Sequence, residues 1–194
     1  MGAVRRYFQP LPGMLLICLS AGTYAVEFSQ VQTDKSTLSF AYRQMGVPLQ
    51  GKFNKFVVRL SFDPARINAA QARFEADLAS IDTGTSEGDD EVRGKQWFNT
   101  RAFPSARFVS SGVKALGGNR YQALGTLTIK GRTRNVTAPF VFKQEGMAGT
   151  FDGAFTLKRL DYAIGEGAWA DVSTVDNEIQ IRFHILANAA PLKK

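Results

Sequence analysis

The 194-residue sequence contains one cysteine and one histidine. Cys18 falls in the opening stretch, which reads as an export leader, so neither a disulfide framework nor thiol chemistry is expected beyond it. A lone His184 cannot make a metal site, because ligands come in sets, and no partner is in view for a general base. Asp82-Thr83-Gly84 has no second copy to share a proton with it, which sets aside aspartic-protease chemistry and leaves an ordinary turn. No apolar run is long enough to cross a bilayer as a helix. Asp89, Asp90 and Glu91 lack the spacing of a calcium loop and read as the acidic start of a helix. Gly165-Glu166-Gly167 lacks the third glycine of a nucleotide loop, and a mobile loop presenting Trp169 is the better reading. Nothing here points to an enzyme, a metal or a tightly held cofactor.

Residues 1–25 have the three parts of a leader: Arg5 and Arg6, an apolar run from Met14 to Leu19, and a small residue at Ala25. The arginine pair faintly resembles a twin-arginine signal, but paired arginines are common in any basic start, so the export route stays open. Leu15, Leu16 and Ile17 before Cys18 are too large for a lipoprotein cleavage site. We therefore expect a removed leader over 1–25, one domain over 26–190, a basic tail over 191–194, and export. The formal charge is +7, of which the leader holds two. Without a basic helix or an aromatic–basic motif, that surplus does not suggest nucleic acid.

What the chain has in quantity is phenylalanine, 15 in all, set in alternating runs. In GTLTIKGRTRNVTAPF (125–140), Leu127 and Ile129 alternate with polar residues. Gly131, Arg132 and Thr133 make a tight connection, and Val136, Ala138, Phe140 and Phe142 share a face on the return. The same period of two recurs through Leu38, Phe40 and Tyr42, with Gly46-Val47-Pro48 as a loop or edge. It recurs through Phe56, Val58, Leu60 and Phe62, and through Phe74, Ala76 and Leu78. Further on it runs through 105–116, through Phe151, Gly153, Phe155 and Leu157, and through Ile179, Ile181, Phe183 and Ile185. Between 82 and 103 the rhythm breaks for a short helix. The expectation is an all-β, eight-stranded antiparallel up-and-down barrel with one helical insertion, since closure leaves no exposed strand edge.

Two readings of the rings compete. Buried phenylalanine is normally packing, and composition alone favours a filled core. The small residues Ala76, Ala123, Gly125, Ala138 and Gly153 interleave with the rings, which leaves room for a cavity. On the second reading the lumen is lined by Phe40, Tyr42, Phe56, Phe74, Leu78, Trp97, Phe98, Phe103, Phe108, Phe140, Phe142, Phe151, Phe155, Trp169 and Phe183. Arg93, Lys95 and Arg101 near the helix, or Arg132 and Arg134 at the hairpin, are candidates to meet a polar head group, with plain surface charge as the alternative.

Several ordered blocks carry a resemblance over nearly the whole chain after the leader. They are QMGVPLQGKF (44–53), DLASIDTG (77–84), DDEVRGKQWFNTRAFPSARF (89–108), the hairpin, and LKRLDYAIGEGAWADVSTVDNEIQIRF (157–183). Together they resemble the YceI-like family of exported proteins. That resemblance implies an extended lipocalin-like barrel in the periplasm, holding a long isoprenoid, such as ubiquinone or a polyprenyl phosphate, or a similar amphiphile. Because relatives occur beside di-haem cytochrome b-type membrane proteins, it also implies an alternative role as an accessory partner of such a redox system. Histidines found in many members are replaced here by Lys35, Gln44 and Glu91. The oligomeric state stays open, a dimer included.

Overall fold

The computed structural model describes residues 26–190, together with Gly2. The expected leader and basic tail otherwise lie outside the described residues.

The sheet holds eleven strands rather than eight. They are β1 (Glu27–Val31), β2 (Thr37–Gln44), β3 (Val47–Phe53), β4 (Phe56–Ser61), β5 (Gln71–Asp77), β6 (Ile81–Asp82), β7 (Ser105–Gly117), β8 (Arg120–Ile129), β9 (Arg132–Glu145), β10 (Ala148–Lys158) and β11 (Glu178–Ala190), with one helix, α1 (Ser86–Arg93). The higher count comes from breaks in the first three long strands. β1 and β2 are separated by a 3-10 turn at Thr33–Lys35, β3 and β4 by Asn54-Lys55, and β5 and β6 by a 3-10 turn at Leu78–Ser80. Joined across those breaks, the pieces run as an eight-strand meander. β11 pairs with both β1 and β2, which carries the last strand back to the first. Phe28 and Phe62 tie β1 to β4 by reciprocal backbone hydrogen bonds of 2.8 and 3.1 Å. Among the described residues every ladder is antiparallel, and the result is the expected lipocalin-like barrel with a single helix.

Local chemistry explains where the sequence expectation slipped. In the 125–140 hairpin the turn is Lys130–Gly131, both at positive φ (48° and 73°). Arg132 and Thr133 therefore belong to β9, with Ile129 opposite Arg132. Two left-handed residues match the twist of a hairpin, and glycine takes the second without strain. The β2–β3 tip does the same with Met45 (φ 51°) and Gly46 (φ 81°). Val47 and Pro48 are thus strand, with Pro48 on an unpaired edge as the second of the two readings expected. Pro48 pairs only with Arg43 of β2, and β6 reaches β3 no further than Lys52 and Phe53. A proline whose other side is unpaired forfeits no ladder bond. β1 was not anticipated, since only Phe28 of its five residues is fully buried. The helix begins as its acids suggest: Thr85 Oγ1 accepts from the Gly88 N–H at 3.1 Å, and Glu87 and Asp89 sit in the first turn.

The meander has two distinct ends. One carries the β7–β8 and β9–β10 turns and the β4–β5 link, and aromatic rings fill it. Phe62 packs against Phe142 (centroids 4.8 Å), Phe151 (5.0 Å), Tyr121 (5.3 Å) and Phe140 (6.0 Å), with Phe28 behind Phe142 at 5.0 Å. Such edge-on and tilted pairs add to the burial of the rings themselves. The other end carries the β2–β3 tip, α1, the 94–104 segment and the 159–177 link. Phe62→Ala is expected to lower the unfolding free energy by about 3–5 kcal/mol in urea titration, as for a fully buried ring; a loss below about 1 kcal/mol would show that the rings do not close that end.

Candidate functional site

The barrel encloses an elongated cavity of about 660 Å³. Phe40, Tyr42, Phe74, Leu78, Trp97, Phe98, Phe108, Phe140, Phe151, Phe155, Trp169 and Phe183 line it. Phe56, Phe103 and Phe142 do not. Phe56 starts β4 beside the Asn54-Lys55 break and packs on the core without reaching the cavity wall. The Phe103 ring lies under the hairpin turn, 3.1 Å from where a Cβ on Gly131 would stand. Phe142 belongs to the aromatic end. Phe53 and Phe62 line the wall instead.

The rings keep the lumen open because several lie flat on glycines. A Cβ on Gly153 would stand 2.3 Å from Phe183 Cζ, and one on Gly125 would stand 2.7 Å from Phe108 Cζ. These glycines do not themselves leave empty space, as the sequence reading supposed; they let a neighbouring ring fold against the wall. Phe74 and Phe183 meet across the lumen at 5.8 Å and form a waist. Ala76, Ala106, Ala123 and Ala138 give the wall its remaining width.

None of Arg93, Lys95, Arg101, Arg132 and Arg134 lines the cavity. Lys95, Arg101, Arg132 and Arg134 are exposed. Arg93 is held at Asp90 (3.2 Å) and Asp89 (3.7 Å) and donates to the carbonyls of Ala79 and Ile81. Among the described residues, the cation that does reach the wall is Arg159, which is 1% exposed. Its Nε donates to Asp176 O, Nη1 to the carbonyls of Ile164 and Gly165, and Nη2 to those of Trp169 and Val175. Every N–H is committed, and no carboxylate pairs with it among the described residues. Burial pushes its pKa down, yet a guanidinium stays charged, here surrounded by carbonyl dipoles. The guanidinium also sits 5.6 Å from the centre of the Trp97 ring, which packs on Trp169 at 5.4 Å. Sequence reasoning missed Arg159, though its position was a signal. It continues the inward series Phe151, Phe155, Leu157 by one more step of two.

A second missed cation pins the same end. Lys130, 8% exposed at its side chain, donates from Nζ to Ala163 O (2.7 Å), Lys95 O (3.1 Å) and Glu166 (2.9 Å). It ties the hairpin turn to both covering segments. The Lys130 hydrogen bond, and then its charge, hold Glu166 below the usual carboxylate range.

The remaining polar candidates fall outside the lumen. His184 Nδ1 pairs with Asp152 at 2.5 Å on the outer surface. Asp82 accepts from the Gly84 N–H at 3.0 Å, which first of all lowers its pKa, and forms the expected turn. Among the described residues, no group of three or more His, Cys, Asp or Glu is placed to hold a metal ion.

Known proteins place this geometry. The model of the YceI-like domain matches residues 30–187. The chain belongs to the YceI-like family. A UPF0312 protein of Azotobacter vinelandii is 32% identical over 123 residues, covering 60% of this chain and 64% of that protein. One from Ectopseudomonas mendocina is 30% identical over 164 residues, covering 80% and 84%. The chain thus spans a little under two thirds of the first of these relatives. The crystal structure of Burkholderia cenocepacia BcnA superposes with a TM-score of 0.80 at 42% identity, covering 82% of this chain and all of that one. A polyisoprenoid binding domain from Saccharophagus degradans shares the fold at 14% identity, with a TM-score of 0.62 over 86% of this chain and 99% of that one. A membrane cytochrome b partner and a dimer gain no support from these likenesses.

Two measurements test the covered end. Arg159→Met strands five carbonyls and is expected to cost more than about 3 kcal/mol in urea titration; a loss under about 1 kcal/mol would contradict the anchoring role. Because the folded pKa of Glu166 is lowered, the Lys130–Glu166 contact is complete above the ordinary carboxylate range and is lost as pH falls through the lowered value. Amide exchange at 163–167 is expected to quicken in that acid window, and to show no such step in Glu166→Gln.

Proposed function

We propose that this protein is an exported, periplasmic lipid-binding protein that holds a long isoprenoid or similar amphiphile in the barrel lumen, and that it is a binder rather than an enzyme. The continuous apolar cavity of about 660 Å³ carries this reading. At about 24 cal/mol per Å³, an equal void in a packed core would cost roughly 16 kcal/mol, as much as a whole domain's stability. An apolar space of that size calls for an apolar occupant. A prenyl tail fits that requirement: each isoprene unit buries on the order of 100 Å², worth about 2.5 kcal/mol before ordering costs. The polyisoprenoid binding of the Saccharophagus degradans neighbour supports the same class of ligand. A leader over 1–25 would deliver the barrel to the periplasm, where a water-insoluble prenyl lipid needs a carrier.

Native mass spectrometry of protein purified without detergent tests this. The expected result is a bound mass removed by organic solvent, or uptake of added geranylgeraniol by the extracted protein. Ala138→Trp, which fills the wall where Ala138 is 5% exposed, is expected to cut uptake at least tenfold while the fold persists by circular dichroism. Protein that stays empty and takes up no prenyl lipid would overturn the proposal.

A further inference from the structure

The cavity wall is apolar along most of its length, and its polar side chains gather at one end. Tyr42 and Gln44 of β2 stand there with Thr83, Thr85, Glu87 and Glu91 around the start of α1. Thr85, Glu87 and Glu91 are exposed, while Tyr42 and Gln44 are half-buried. Apart from Gln71 near the aromatic end, these are the exposed side chains of the lining, so the lumen meets water here.

The chemistry of this mouth is specific. Thr83 Oγ1 is engaged by Asp89 at 2.8 Å, and Thr85 Oγ1 caps the helix. The side chains of Tyr42 and Gln44 bond no described residue, and burial pushes the Tyr42 phenol pKa up, so it stays a neutral O–H donor. Glu87 and Glu91, four residues apart, share one helix face. Among the described residues, no cation reaches in to offset them. Arg93 is held by Asp89, Asp90 and two carbonyls, and Lys52 lies 3.6 Å from Asp82. Arg43 points its Nη1 at Gly46 O, outside the lining. Arg159 has no N–H left to fork a phosphate. The N-terminus of α1 is capped by Thr85, and its first turn carries Glu87 and Asp89.

Resting on the lipid-binding reading, we propose that the lumen selects amphiphiles with a neutral, hydrogen-bond-accepting head, such as a prenyl alcohol or a quinone. Tyr42 and Gln44 donate to the head, and Glu87 and Glu91 discriminate against a prenyl phosphate. A phosphate entering this mouth would approach two carboxylates within a Debye length, about 8 Å at physiological salt, with no free donor cation among the described residues to receive it. A carbonyl or hydroxyl meets no such repulsion and finds two unengaged donors. The tail then runs past the Phe74–Phe183 waist toward the aromatic end.

Geranylgeraniol and geranylgeranyl phosphate share one tail and differ only in the head. Trp97 and Trp169 both line the lumen, so intrinsic fluorescence of the full domain reports occupancy. At low salt the alcohol is expected to bind about tenfold more tightly, with the gap shrinking as salt screens the mouth. Glu87→Gln combined with Glu91→Gln, both at exposed positions, is expected to narrow the ratio to within about threefold. Tyr42→Phe is expected to weaken the alcohol several-fold, the effect of one lost hydrogen bond. Phosphate binding as tight as the alcohol, or a ratio unmoved by the double substitution, would overturn the head-group assignment and leave lipid binding standing. If neither ligand binds, the lipid-binding reading falls, and this one with it.

Discussion

A hollow apolar barrel must be held by its wall, because it has no packed centre to hold it. The constraint on which this structure depends is that the ladder of backbone hydrogen bonds runs all the way round. The three long strands at the start break at short turns, and β11 bridges the first break by pairing with β1 on one side and β2 on the other. The Phe28–Phe62 bonds hold the same seam at the aromatic end. Among the described residues there is no cysteine to staple it. Buried rings at one end and buried cations at the other provide the closure that disulfides give many small exported domains.

The two ends do different work. Phe28, Phe62, Tyr121, Phe140, Phe142 and Phe151 make a dry plug whose cohesion is aromatic packing. At the opposite end Arg159 gathers the carbonyls of 164–176, and Lys130 ties the hairpin to that segment and to Lys95. Part of this end is thus covered, and the acidic mouth beside α1 remains. Between the ends, glycines beneath Phe108 and Phe183 turn the rings against the wall. The same residue types would fill the core if those positions carried side chains.

Much of this was legible in the sequence, for a physical reason. A wall one residue thick, apolar inside and polar outside, writes its period of two directly into the chain, so Phe151, Phe155 and Leu157 announced their face. The ring–glycine pairs were half visible: Gly125 and Gly153 stood out as small, but that they seat rings depends on cross-strand neighbours. Phe142 obeyed the parity and still missed the lumen, because parity assigns a face and not a depth along the barrel. The basic residues suggested for the head group failed differently, since charge near a loop in sequence says nothing about whether a carboxylate or carbonyl already holds it. Lys130 is the reverse case, a buried anchor that looks like an ordinary polar turn residue. The likeness to YceI-like proteins fixed the fold but not the mouth, whose Gln44, Glu87 and Glu91 are read from their places around the cavity.

The central claim is that the space inside this barrel accepts a prenyl tail along its length. A crystal structure of the extracted protein soaked with geranylgeraniol tests it most directly. The account predicts continuous density from beside Tyr42 and Gln44, past the paired rings of Phe74 and Phe183, to the face of Phe62. Side chains collapsed into the lumen, or the ligand found only on the outer surface, would contradict it.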